Sequence, residues 1–272
     1  MPKVPALLFS FNWCSCVSAP GTPSVRSRRV ITSVDNQRVK EVVRLRRGRE
    51  RRASGLFIAE GVRELERARE AGLTIRETFV APEVLPHWTH PHTAVSTRVL
   101  AKMAYRPEPE GVLAIVEAPT RTLPDDATLL LVAVGIEKPG NLGAMARTAD
   151  AAGVDALIVA DARSDPWNPN AIRASTGAVF TLPIVDATRD EVAALTQRKV
   201  AAVVGAPTPY TSADLTQPTA FIVGAEDTGL SDDWKAIADE QVAIPVKGDT
   251  ADSLNASAAA AVLLYETLRQ RG

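Results

Sequence analysis

Three stretches of the chain carry side chains able to do chemistry at close spacing. Asn141–Arg147 reads N-L-G-A-M-A-R, Val223–Leu230 reads V-G-A-E-D-T-G-L, and Ile244–Ser257 reads I-P-V-K-G-D-T-A-D-S-L-N-A-S. In the second stretch glycines bracket Glu226. Bare backbone at such a turn lets a flat ring lie close, while the carboxylate orients a hydroxyl or an ammonium group. Arg147 supplies a cation, and Ser253 with Asn255 supplies hydrogen-bond donors and acceptors. All three stretches stand at the ends of predicted strands, and in open α/β sheets ligands collect outside the carboxyl ends of the strands. Together they predict one site.

Residue type alone leaves a plainer account open for each. On a helix, Leu142, Met145, Ala149 and Ala152 form one apolar stripe, and at about 100° per residue Arg147 projects nearly opposite its centre. That direction suits a cation meeting something outside its own core, and equally a surface arginine. Glu226 also fits a helix-entry acid ahead of Ser231. Ser253 and Asn255 fit the cap of the last helix, although two polar side chains within S-L-N-A-S exceed what one cap needs.

Several other chemistries find no support. Gly140 and Gly143 do not complete G-x-G-x-x-G, and G-x-x-x-x-G-K-[ST] does not occur, against a nicotinamide enzyme and an NTPase. His87, His90 and His92 form H-x-x-H-x-H on a loop beside Trp88, with no second cluster of Cys or His to complete a tetrahedral metal site. That loop contacts RNA or plays no part, and no metal is expected. With every histidine there, no Ser-His-Asp order is persuasive. Cys14 and Cys16 both lie near the N-terminus, so the body carries neither a disulfide framework nor a cysteine nucleophile.

The elements that must position these residues fall into two groups. Asp35 or Asn36 caps a helix running to about Arg47, with Val39, Val42, Val43 and Arg46 at helical spacing. Strands at 55–61, 77–80 and 111–116, helices at 62–71 and 95–103, and a loop at 86–92 complete a small β/α domain over residues 30–118. Residues 119–126, with Pro119 and Pro124, read as a linker. From 127 to 272 the fold class is α/β: apolar runs at 129–135, 156–160, 200–205 and 220–224 have the character of doubly covered parallel strands. Helices at 142–152, 169–175, 189–197, 232–238 and 254–270 separate or follow them. In the last, Leu254, Ala258, Ala261, Tyr265 and Leu268 recur at 4-3-4-3 spacing, a seam to pack on the sheet or on a partner.

Composition sets the partner. Hydrophobic content of 46% and charged content of 23% are those of a soluble globular protein, and no run approaches the roughly 20 apolar residues needed to cross a bilayer. The net charge of −1 conceals a division. Between Arg26 and Arg52 ten arginines and one lysine stand against three acids, a net +8, which leaves −9 for the rest. A basic segment on an acidic protein points to a polyanion, most economically nucleic acid, with a solvated helix face as the alternative. Residues 1–29 read as a disordered extension or an over-called start, because Pro5, Ser10 and Asn12 interrupt any signal-peptide core; the expected location is cytoplasmic.

Taken together, the three stretches resemble the signature motifs of the SpoU/TrmH family, RNA ribose 2′-O-methyltransferases of the SPOUT class. R-A-S-T-G-A-V-F-T-L-P at Arg173–Pro183 is similar to another recurring family segment, and the resemblance covers about Thr128 to Arg271. Upstream, N-Q-R-V-K-E-V-V-R-L and G-L-F-I-A-E-G-V-R-E-L resemble the family's L30e-like RNA-binding domain. The chain thus looks most like the two-domain ribosomal-RNA members, which act in housekeeping or antibiotic resistance. The resemblance implies a parallel-sheet methyltransferase domain with a deep trefoil knot, a homodimer, and S-adenosylmethionine as cofactor. It implies cofactor contacts at Val223, Gly224, Ala225, Glu226, Gly229, Ile244, Pro245, Ser253, Leu254 and Asn255, with Asn141, Arg147, Glu226, Ser253 and Asn255 carrying catalysis. RNA contacts are expected at Arg38, Lys40, Arg44, Arg46, Arg47 and Arg173. Ala225 and Asp227 depart from the family, which more often has Asn and a small residue there. The expected reaction is methyl transfer to a ribose 2′-hydroxyl of 23S ribosomal RNA; a tRNA enzyme, or a non-catalytic RNA-binding assembly factor of the same fold, are the alternatives.

Overall fold

Asn36 accepts a hydrogen bond from the Arg38 backbone N–H at 2.9 Å and so starts the first helix of this computed structural model, which describes residues 30–248, 250 and 252–272. The extension expected over residues 1–29, including Arg26, Arg28 and Arg29, lies outside the described residues. Helix α1 (Gln37–Arg44) buries Val39 and Val42. It ends three residues before the predicted Arg47, because Leu45, Arg46 and Arg47 donate to carbonyls three residues back and tighten the chain. A second helix, α2 (Gly48–Ser54), follows without having been predicted. Its sequence G-R-E-R-R-A-S has no apolar stripe, and its buried residue is Arg51.

The small sheet then forms from β1 (Leu56–Glu60), β2 (Ile75–Val80), β3 (Thr93–Ala94) and β4 (Val112–Glu117), in the order β1-β4-β2-β3. β4 runs antiparallel to both β1 and β2, while β2 and β3 are parallel. Helix α3 (Val62–Glu70) buries Leu65 and Ala68 on one face of this sheet. On the other, α1 and α4 (Thr97–Met103) pack Val42, Val99 and Met103 against Ile58, Phe79 and Leu113. α4 starts two residues later than predicted, because Val95 bridges to Ile31 and Ser96 accepts from the Val99 N–H as the cap.

The larger sheet has seven parallel strands: β5 (Leu129–Val134), β6 (Ala156–Ala160), β7 (Ile184–Asp186), β8 (Arg198–Ala202), β9 (Thr208–Pro209), β10 (Thr219–Val223) and β11 (Glu240–Ala243). Their order is β7-β6-β5-β10-β8-β11-β9. Every residue of β5, β6 and β10 is buried, as near-continuous apolar strands covered on both faces should be. The chain winds outward from β5 through β6 to β7, and the later strands lie on the other side of β5. That reversal opens a crevice at the strand ends, the place where such sheets bind ligands.

Helices α5 (Pro139–Ala151), α6 (Pro169–Ser175), α7 (Arg189–Ala193), α8 (Asp232–Ala236) and α9 (Ala256–Arg271) accompany this sheet, α6 packing on α5 and on β1 of the small sheet. α5 and α6 approach backbone to backbone at Gly143, where a Cβ would stand 2.2 Å from the Ala171 carbonyl oxygen. Gly143 therefore serves helix packing. The α9 seam does not pack on the sheet: the buried face of the helix is Ala256, Ala260, Leu263, Leu264 and Thr267. Leu254 precedes the helix, and Leu254, Tyr265 and Leu268 are 39%, 53% and 37% exposed. In an alanine-rich helix two registers satisfy the same apolar spacing, and the one carrying both adjacent leucines faces the sheet.

Candidate active site

A cleft of about 380 Å³ lies at the carboxyl ends of three neighbouring parallel strands. β8 contributes Ala202 with Val203 and Val204, β10 contributes Val223, and β11 contributes Val242 with Ile244 and Val246 beyond it. The turn from Gly224 to Leu230 forms one wall, and Ser253, Leu254, Ala256 and Ala259 form another.

The turn owes its shape to bare backbone. Gly229 sits at φ 62 and donates its N–H to the Ala225 carbonyl at 2.9 Å, so the chain folds back on itself. A Cβ on Gly224 would stand 2.5 Å from the Gly229 carbonyl carbon and oxygen. Only glycine lets the two limbs approach this closely.

At the rim, three side chains from three separate stretches meet. Asn141, near the start of α5, donates its side-chain amide to Glu226 Oε1. Asn255 donates to the same Oε1 at 3.2 Å and to Asn141 Oδ1 at 3.3 Å. Asn255 also caps α9, its Oδ1 accepting from the Ser257 backbone N–H at 3.0 Å and hydroxyl at 2.6 Å. Asn255 thus serves two partners at once, its carbonyl oxygen capping the helix and its amide meeting the Glu226 carboxylate. Glu226 makes no cap for α8, so the helix-entry alternative fails.

Of the expected cofactor contacts, Val223, Gly224, Ala225, Glu226, Gly229, Ile244, Ser253 and Leu254 line the cleft, whereas Pro245 and Asn255 do not. Ala202, Val203, Val204, Thr228, Lys235 and Val242 line it without having been foreseen. Arg147 lies on α5 outside the cleft lining, exposed, with no side-chain hydrogen bond or ion pair among the described residues.

The basic residues divide. Arg44 and Arg47 are exposed and unpaired among the described residues. Arg38 pairs with Glu77 at 3.0 Å, Lys40 faces Asp35 at 3.9 Å, and the Arg46 guanidinium lies 5.4 Å from the Tyr105 ring centre. Arg173, exposed on α6, donates to Asn170 Oδ1 at 2.7 Å. Behind Tyr105, burial pushes the Glu60 carboxyl above the usual range, although backbone N–H groups of Tyr105 and Arg106 and the charges of Arg106 and Arg46 pull it back. His87, His90 and His92 stay on their loop, His90 packing edge-on to Trp88. Among the described residues no group of three His, Cys, Asp or Glu side chains is placed to hold a metal ion, and no helix is long and apolar enough to cross a membrane.

Residues 128–265 match the SpoU rRNA Methylase family. The chain belongs to that family. Residues 36–114 match the MRM3-like substrate binding domain, which places the small sheet and its helices. A 23S rRNA (uridine(2479)-2′-O)-methyltransferase of Streptomyces viridochromogenes is 34% identical over 81% of this chain and 85% of its own length. The 23S rRNA (guanosine(2553)-2′-O)-methyltransferase RlmP of Bacillus subtilis is 30% identical over 86% and 97%. The crystal structure of the SpoU methyltransferase AviRb from Streptomyces viridochromogenes in complex with AdoMet superposes with a TM-score of 0.77, 30% identity, and coverage of 87% of this chain and 98% of that one. The SpoU assignment fits the cleft at β8, β10 and β11, a largely apolar recess with a glycine-bracketed turn as one wall and a carboxylate at its rim.

Proposed function

We propose that this protein transfers a methyl group from S-adenosylmethionine to a ribose 2′-hydroxyl of structured ribosomal RNA, 23S rRNA foremost. The observation that carries the reading is the meeting of Asn141, Glu226 and Asn255 at the rim of a cleft whose wall is the Gly224–Leu230 turn. A cleft of about 380 Å³ is in the range of small-molecule sites. Val223, Val242, Ile244 and Leu254 offer apolar surface to the adenine ring, and Gly229, with nothing within 4 Å of an added Cβ, offers unhindered backbone.

When bound, S-adenosylmethionine supplies an electrophilic methyl group on a positively charged sulfur. The protein must then hold a ribose hydroxyl in line and favour loss of its proton. Glu226, fixed by two amides through Oε1, keeps Oε2 to orient a hydroxyl or an ammonium group. Ser253, in the other wall of the cleft, helps to orient the ribose. Attack on the methyl breaks the sulfur–carbon bond and releases S-adenosylhomocysteine, and the hydroxyl proton passes to water, because the guanidinium of Arg147 stays charged in proteins and cannot accept it. Arg147 instead binds the phosphate and the forming alkoxide and lowers that anion's energy.

The enzyme works as a homodimer in this reading, supported by the exposed apolar side chains of Tyr265 and Leu268 on α9. The partner copy brings a surface against which the unpaired Arg147 acts. A trefoil knot is supported by β10 lying between β5 and β8, with the later α9 packed back against α5 and β10. A ribosomal-RNA substrate supports a cytoplasmic location.

Three experiments test the proposal. S-adenosylhomocysteine added to the purified protein gives a calorimetric binding signal, and tritiated methyl from S-adenosylmethionine enters bulk rRNA rather than tRNA. No heat with the product defeats the cofactor assignment, label in tRNA alone makes it a tRNA enzyme, and cofactor binding without transfer makes it an assembly factor. RNA affinity falls steeply with added salt, and neutralising Arg44, Arg46 and Arg47 together flattens the log–log slope by about 2 to 3. An unchanged slope removes α1 from the RNA surface.

A further inference from the structure

Two domains joined by a short linker are expected to move relative to one another unless a large apolar interface holds them. Here three separate contacts do so. Arg51, the buried residue of α2, points across the junction into the loop between β6 and α6. Its Nη2 meets Asp165 Oδ2 at 2.6 Å and its Nε meets Oδ1 at 3.1 Å, a two-pronged pair with side chains 2% and 11% exposed. The third nitrogen, Nη1, donates to the Leu45 carbonyl at 2.8 Å, which ties the same guanidinium to the end of α1. Beside it, Phe57 of β1 stacks on Trp167 at 4.9 Å and on Phe180 at 5.8 Å, and one continuous apolar core spans both sheets. The linker is itself held, Arg121 donating to the Phe180 carbonyl at 2.5 Å and to that of Thr181.

We propose that Arg51 and Asp165 clamp the substrate-binding domain onto the methyltransferase domain in one fixed orientation, so that they act as positioning residues for the RNA. The inference rests on the methyltransferase reading for its consequence, though not for its geometry. A buried guanidinium separated from its carboxylate is strongly destabilising, so the docked arrangement is the one in which Arg51 is satisfied. The clamp also reaches the catalytic end. Asp165 and Trp167 lie immediately before Asn168, which caps α6 by accepting from the Asn170 N–H at 2.9 Å. α6 meets α5 without side-chain padding at Gly143, and α5 carries Asn141 and Arg147. The exposed cations Arg44 and Arg47 at the end of α1 are thereby held at a set separation from the cleft. Part of the acidic excess of the chain is consumed here: Arg52 of α2 acts on Asp186 at the end of β7, whose carboxyl burial pushes up and Arg52 pulls back.

A substrate must then present its backbone contact and its target ribose at matching separation. The test compares wild type with Arg51→Ala, Asp165→Asn and the exchanged pair Arg51→Asp with Asp165→Arg. Each is measured for solution X-ray scattering, S-adenosylhomocysteine affinity by calorimetry, and methyl transfer to an rRNA fragment. The expected result is a broadened distance distribution in both single variants and unchanged product affinity. For the rRNA fragment, a misplaced contact lowers kcat/KM by roughly 100-fold through KM, and the exchanged pair recovers part of it. If Arg51→Ala does not fold, Asp165→Asn, which keeps the side-chain shape, decides. Scattering and KM both equal to wild type in a folded single variant overturn the clamp. Wild type that binds no product defeats the methyltransferase reading instead, while scattering still decides whether the domains are locked.

Discussion

Arg147→Lys lowers methyl transfer by roughly 100- to 1,000-fold while leaving S-adenosylhomocysteine affinity and RNA affinity close to wild type. The size follows from what the side chain is asked to do. A ribose hydroxyl becomes reactive only as its proton leaves, and a donor aimed at the growing negative charge stabilises the transition state more than the ground state. Lysine keeps the charge but concentrates it on one flexible, strongly hydrated point, whereas guanidinium presents a planar fork that can hold phosphate and alkoxide together. Arg147 is available for this because α5 turns it away from Leu142, Met145, Ala146 and Ala149, all buried, and nothing among the described residues pairs with it. The measurement is single-turnover transfer of labelled methyl to an rRNA fragment, with separate binding titrations for product and RNA. Turnover near wild type removes Arg147 from catalysis. Turnover lost in proportion to RNA affinity makes it an affinity contact only.

How far such residues could be read in advance depended on whether the signal was local. α6 was legible to its ends, because Asn168 and Pro169 are start chemistry that needs no neighbour. β5, β6 and β10 were legible because strands buried on both faces must be apolar at every position. α2 was not, since its one inward-facing residue is an arginine whose partner lies more than a hundred positions away in the loop before α6. The same limit hid half of the cleft. Ala202, Val203 and Val204 end a predicted strand, but nothing in that run says β8 lies beside β10. Only sheet order brings it there. Asn255 shows the reverse case, where capping alone was a sufficient local explanation and the carboxylate contact was visible only in three dimensions. α9 shows a third: the apolar periodicity was real, but which of two registers faces the sheet depends on what packs against it.

Gly224→Ala weakens S-adenosylhomocysteine binding by about 5- to 150-fold, the equivalent of roughly 1–3 kcal/mol of overpacking. The reason is contact rather than backbone conformation, because Gly224 does not adopt a left-handed φ. Its added methyl would stand 2.5 Å from the Gly229 carbonyl group and 2.8 Å from the Leu230 nitrogen, and backbone atoms cannot swing aside as a side-chain end can. The two limbs of the turn must separate, and with them Glu226 leaves the position that Asn141 and Asn255 hold. Gly229→Ala meets nothing within 4 Å but forces a side chain onto φ 62, which costs only about 1–2 kcal/mol. Asparagine, which tolerates that conformation, relieves much of this at Gly229 and none of the crowding at Gly224. Gly140→Ala is the control: it lies near the start of α5 with open space around it, and alanine there leaves binding unchanged and favours the helix by up to about 1 kcal/mol. Calorimetric titration of the four variants reads the order directly. Equal affinities for Gly224→Ala and Gly140→Ala would show that the turn does not form the wall of the cofactor cleft.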